Sequence, residues 1–140
     1  MSERNIELHR RFDEAFNARD IEAMIALCDP SIEFHDVAGA VDATVYHGHD
    51  GIRSWHQARE EIAGEICVEP EAYFDLGQDT LVFHVLHGRG KQSGVEVAML
   101  IATVAKWRED LMVYANAYAD REAALRDLGV SKDELEPIAP

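Results

Sequence analysis

Two residues of this chain combine an acid–base side chain with an inward-pointing pattern. Asp36 closes the alternation Ile32, Phe34, Asp36, while Glu33 and His35 take the other face of the same strand. A carboxylate that follows two apolar residues into a cavity is desolvated, which moves it towards the range of a useful general base. The competing reading is that Asp36 caps the loop after the strand. His84 alternates with Val82 and Leu86, so if those two point inward it does too. Its ordinary titration near neutrality suits a proton relay with Asp36, although a hydrogen-bonded core histidine has the same pattern.

Other chemistries fit less well. His47-Gly48-His49 is followed at once by a helix, and His84 and His87 point to opposite faces of a strand, so no metal set is expected. Gly88 to Gly94 has the look of a phosphate loop, but it joins two strands and reads as a hairpin turn. Cys28 and Cys67 form no Cys-x-x-Cys and read as reduced thiols of a cytoplasmic protein. No cofactor motif is present.

The elements that must hold these residues follow from periodicity. Leu8, Phe12, Ala15 and Phe16 form one helical stripe. Asp20 caps a second helix that stops before Asp29-Pro30. A strand over Ser31 to Asp36, a small-residue loop over Val37 to Ala43 and a short extended piece at Thr44 to His47 come next. A third helix over about His49 to Ala63 buries Ile52, Trp55 and Ile62. Ile66 to Phe74 is extended and interrupted by Pro70, which suggests an edge or bulged strand. Strands over Thr80 to His87, Val95 to Trp107 and Leu111 to Ala119 precede a helix over Arg121 to Leu128, capped by Asp120 and closed by Gly129. Ser131 to Glu134 has capping-box spacing. Helices first and long antiparallel strands after give an α+β fold, with helices on one face of a sheet.

The long strands supply the lining. Met99, Ile101 and Thr103 share one face with Val97, and Leu100, Ala102 and Val104 share the other. Both faces are too apolar for water, so a homodimer is expected with Leu100, Ala102 and Val104 near its centre. Tyr114, Asn116 and Tyr118 alternate with Leu111, Val113, Ala115 and Ala117. One set lines the pocket and the other meets the partner; the polar set is counted with the candidate lining. Trp55 is core, pocket wall or a ligand-stacking ring.

Phe12 to Leu27, Ile32 to Asp36, Tyr46 to Ile52, Gly94 to Val97 and Tyr118 to Leu125 together resemble the SnoaL-like domains of the nuclear transport factor 2-like superfamily, also called ketosteroid isomerase-like. The match runs over residues 5–128. The resemblance implies a cone-shaped, curved, mostly antiparallel sheet against three N-terminal helices, with a short C-terminal helix. It also implies a pocket inside the cone and frequent dimerisation through the outer sheet face. Asp36 is similar in position to the base of the ketosteroid isomerases. The donor positions of that branch fall on Phe12 and Thr103, which cannot supply its Tyr and acid; the two are kept as candidate ligand contacts, with Phe34. The cyclase acid falls within Ala115-Asn116-Ala117, and no strand carries the Arg-x-Asp of the epoxide hydrolases. Fold alone does not choose a function here.

Composition bounds the rest. The 140 residues form one domain, residues 1–130, followed by an acidic tail over residues 131–140. Thirteen Lys and Arg against 27 Asp and Glu give a net charge of −14, which argues against nucleic acid and anionic membranes. No apolar stretch is long enough to span a bilayer. Two functions remain open. One is an enzyme of isomerase, cyclase or dehydratase type acting by proton transfer on a small hydrophobic or polyketide-like molecule. The other is a non-catalytic binder of such a ligand.

Overall fold

A computed structural model describes residues 2–36 and 44–140; the loop expected at Val37 to Ala43 lies outside them. The elements follow the expected order. Helices α1 (Ser2–Asn17) and α2 (Ile21–Ala26) lead into β1 (Cys28–His35) and the short β2 (Tyr46–His47). Helix α3 (Gly48–Ile62) comes next, then β3 (Ala63–Asp75), β4 (Asp79–Gly90), β5 (Glu96–Arg108) and β6 (Leu111–Tyr118). Helix α4 (Arg121–Leu128) and a 3₁₀ turn (Lys132–Glu134) complete the chain.

Local chemistry sets these boundaries. Asp20 accepts from the Ala23 N–H and starts α2. Asp120 accepts from the Glu122 N–H, and Gly129, in the left-handed region, ends α4. Gly48 opens α3 at φ +70, and a Cβ there would stand 2.9 Å from the Pro30 carbonyl oxygen. Both capping-box bonds form at Ser131 and Glu134. The strand expected from Ser31 begins earlier, at Cys28, because extended backbone carries Asp29 and Pro30 into β1.

The six strands form one curved, unclosed sheet in the order β2-β1-β6-β5-β4-β3. The β1–β6 pair is parallel and the others are antiparallel. Strand β3 lies at the edge and its register shifts between Pro70 and Ala72, where proline cannot serve the ladder.

Two apolar clusters divide the sheet between its faces. On one, α1, α2 and α3 bury Phe12, Met24, Ile32, Phe34, Ile52, Trp55 and Met112. On the other, α4 brings Ala124 and Leu125 against Phe74, Phe83, Ala102 and Val104. Ala102 and Val104 are therefore covered by the chain's own C-terminal helix, and the dimer centre expected on them is corrected. The segment expected as a tail folds back. Ile138 pairs with Tyr73 by two backbone hydrogen bonds, and Leu135 packs near α4.

Candidate functional site: an apolar cavity with buried acids and imidazoles

Between α1, α3 and the concave side of the sheet lies a largely apolar cavity of about 60 Å³, several times what one water needs. Helix α1 contributes His9, Phe12, Asp13 and Phe16 at helical spacing, so one face carries both rings and both titratable groups. Helix α3 contributes Trp55 and Arg59, one turn apart. Phe34 and Asp36 enter from β1, His84 and Leu86 from β4, and Ile101 and Thr103 from β5. Trp55 stacks on Phe16 with centroids 5.5 Å apart and tilts on Phe34 at 4.6 Å.

Most of the residues singled out in the sequence meet here: Phe12, Phe34, Asp36, Trp55, His84, Ile101 and Thr103. Asp36 and His84 reach the same cavity but hold different neighbours. Asp36 forms an ion pair with Arg59, and both side chains are mostly buried. His84 shares a 2.9 Å hydrogen bond between Nε2 and Thr103 Oγ1. Its Nδ1, like the Trp55 indole N–H, is buried without a hydrogen-bond partner among the described residues. Burial, and then the nearby Arg121 guanidinium, push the His84 imidazole down to about 4, so it is neutral at pH 7.

Four candidate contacts fall elsewhere. Antiparallel pairing puts Ala117 opposite Thr103 and Ala115 opposite Ala105, and cross-strand partners share a face. The small alanines therefore line the cavity, and the polar set points away. Tyr114 sits under the Lys106 ammonium, Asn116 bonds to the Tyr114 hydroxyl, and Tyr118 donates to Asp127. Met99 shares the face of Ile101 but lies beyond the cavity and is exposed.

His9 and Asp13 also line the cavity, and neither stands out in the sequence as a site residue. Asp13 is almost fully buried, and its Oδ2 accepts a 2.7 Å hydrogen bond from the Tyr73 hydroxyl. Burial raises its carboxyl to about 7; the Tyr73 bond works against that shift and Glu14 adds to it. His9 lies one turn earlier, with Nε2 4.0 Å from Asp13 Oδ1. Burial first, and His84 second, push the His9 imidazole down to about 3. The available signal was spacing. His9, Asp13 and Phe16 recur at i, i+4 and i+7 beside the apolar stripe, placing two polar side chains on a buried face.

No group of three or more His, Cys, Asp or Glu side chains among the described residues is arranged to hold a metal ion. Cys28 is a buried free thiol pushed up to about 12 by burial, and Cys67 is free and exposed. No helix among the described residues is long and apolar enough to cross a membrane.

A helix-backed curved sheet enclosing a cavity with acid–base side chains defines a class of small-molecule pocket domains. The chain belongs to the SnoaL-like domain family, whose model matches residues 9–115. None of the curated proteins matches it. Among solved structures it is similar to an NTF2-like protein of unknown function from Burkholderia pseudomallei K96243. The TM-score is 0.76 at 18% identity, over 88% of this chain and 95% of that one. A protein of ketosteroid isomerase-like fold from Catenulispora acidiphila DSM 44928, in complex with trimethylamine, aligns with TM-score 0.74 at 16% identity, over 91% and 95%. TerC, co-crystallised with polyporic acid, aligns with TM-score 0.75 at 19% identity, over 88% and 96%. At these identities the likeness shows the fold.

Proposed function

We propose that the protein moves a proton on a small, mostly apolar molecule held in the cavity, with Asp36 as the base. One observation carries this reading. Two carboxyl groups reach the same apolar cavity in different settings, Asp36 ion-paired with Arg59 and Asp13 holding its proton to about pH 7. A carboxylate paired with a guanidinium and a carboxyl buried against a hydroxyl can divide the base and acid roles between them. Asp36 takes the proton, Arg59 orients it, and neutral His84, tied to Thr103, passes protons across the cavity. Phe12, Phe34, Trp55 and Ile101 enclose the ligand's apolar body. Small ligands in the same fold, trimethylamine in one neighbour and polyporic acid in TerC, agree with a small-molecule role.

Proton exchange tests it whatever the natural reaction is. Enolisable cyclic ketones such as 2-cyclohexen-1-one, incubated with the protein in D₂O, are expected to exchange carbon-bound protons faster than in buffer, in proportion to protein concentration. A panel of such ketones that binds but exchanges only at the buffer rate makes the cavity a binding site without catalysis.

The protein is proposed to act as a homodimer in the cytoplasm. Val95, Val97, Met99 and Leu100 are exposed on and beside β5. Strand β6 pairs with β5 only from Ala102 onwards. An apolar run with an unpaired edge favours a partner, and the acid within it, Glu96, is ion-paired with Arg89 of the same chain. Leu100→Glu is expected to convert a dimer to a monomer in sedimentation analysis. A wild-type chain that sediments as a monomer at high micromolar concentration contradicts the dimer.

A further inference from the structure

Thr80 on β4 is wholly buried, and its hydroxyl joins two side chains. The Trp107 indole N–H donates to Thr80 Oγ1 at 2.9 Å, and His9 Nδ1 lies 2.7 Å from the same oxygen. An indole N–H only donates, so Thr80 is the acceptor in the first contact. The hydroxyl proton then needs its own acceptor, and His9 Nδ1 is placed to be one. A hydroxyl proton left unpaired in the core is costly, so the bond to the imidazole is favoured. The network therefore assigns the neutral imidazole its proton on Nε2. His9 and Asp13 both line the cavity, and that N–H stands 4.0 Å from Asp13 Oδ1, too far for a direct hydrogen bond. The other oxygen of Asp13 is already held by Tyr73.

We propose that the His9 Nε2–H and the Asp13 carboxyl form a two-donor subsite for a single oxygen atom of the ligand, so that the cavity takes a small, otherwise apolar carbonyl or enol compound. An oxygen about 2.8 Å from each atom fills the gap between them. Asp13 donates because burial keeps its proton in place to about pH 7. The groups facing Asp13 are the Tyr73 hydroxyl and His9, with Glu14 adjacent and Arg10 beside Tyr73. Two donors fixed in an apolar wall hold an oxygen whose negative charge grows as a neighbouring carbon loses its proton. The subsite deepens the proton-transfer reading by naming the substrate class. It rests on the cavity taking a small molecule, not on Asp36 being the base.

Isotope-edited infrared spectroscopy of bound cyclohexanone, labelled with carbon-13 at the carbonyl, tests it without turnover. The carbonyl stretch is expected below its frequency in hydrocarbon solvent, and His9→Leu and Asp13→Leu each raise it. His9→Gln and Asp13→Asn retain a donor and the fold, and keep most of the shift. The ketone is also expected to bind at least as tightly as methylenecyclohexane, an order that the leucine variants reverse by about tenfold. A wild-type stretch at the hydrocarbon-solvent frequency overturns the subsite, whether or not the leucine variants fold. So does a shift that none of the variants alters, which would mean a bound water alone meets the ketone. The same assay on Asp36→Asn separates the two claims. A retained infrared shift with lost proton exchange upholds both, and a retained shift with unchanged exchange removes only Asp36 from its role.

Discussion

Asp36→Asn is expected to lower protein-dependent proton exchange by about a hundredfold to ten-thousandfold, the usual contribution of a positioned general base. The substitution is close to isosteric, and its side-chain oxygen can still accept from Arg59. What it removes is the ability to take a proton. Arg59 is one-fifth exposed, so its charge can find water once the carboxylate is gone. The stability cost is then modest, on the order of 1–2 kcal/mol. Ligand affinity should change far less than exchange, since the apolar walls and the His9–Asp13 pair are untouched. Exchange at the wild-type rate would move the base elsewhere, with His84 the next group on the cavity wall.

The second large effect is on stability against pH. His9 is held near 3 and His84 near 4, both below the ordinary 6.5. A histidine depressed on folding contributes stability above its unfolded value, and loses it as pH falls towards the folded one. Asp13 has the opposite sign. Its carboxyl is raised from 3.8 to about 7, so its contribution is complete below 3.8 and lost as pH rises through 7. Between about pH 6 and 4.5 the unfolded chain holds two imidazole protons that the native chain lacks, while the native chain holds one on Asp13 that the unfolded chain lacks. Each uncompensated proton is worth about 1.4 kcal/mol per pH unit. Asp13→Asn removes the compensating proton. The variant is therefore expected to be more stable than wild type at pH 8, by an order of 2–4 kcal/mol, and to lose that advantage towards pH 4. Urea unfolding at pH 4.5, 6 and 8 measures the difference. Parallel curves for the two proteins would show that Asp13 titrates alike folded and unfolded.

Much of the architecture is legible from periodicity and punctuation. Asp20, Asp120 and Gly129 mark helix ends through backbone chemistry that needs no tertiary context. Pro70 announces an edge strand because a central one cannot spare the N–H. The inward faces of β1 and of β4 follow from alternation, since Phe34 and Asp36, then His84 and Leu86, all reach the cavity. Alternation is ambiguous where both faces are buried. On β6 it cannot say whether alanines or tyrosines point inward, and the answer lies in the register with Thr103. Nor can it show that α4 covers Ala102 and Val104, because that is a packing choice between distant segments. Asp13 escapes notice for a related reason. On a surface helix an aspartate is ordinary, and only the Tyr73 hydroxyl, sixty residues away, makes its burial tolerable. Arg59 likewise reads as a solvated helix residue until folding brings it to Asp36.

Proton transfer and oxygen recognition both require a cavity that keeps one carboxyl protonated at neutral pH. Carbon-13 NMR titration of the Asp13 side-chain carboxyl in the folded protein measures this directly. A midpoint near 7 is expected. A midpoint in the ordinary carboxylate range, near 4, would contradict it.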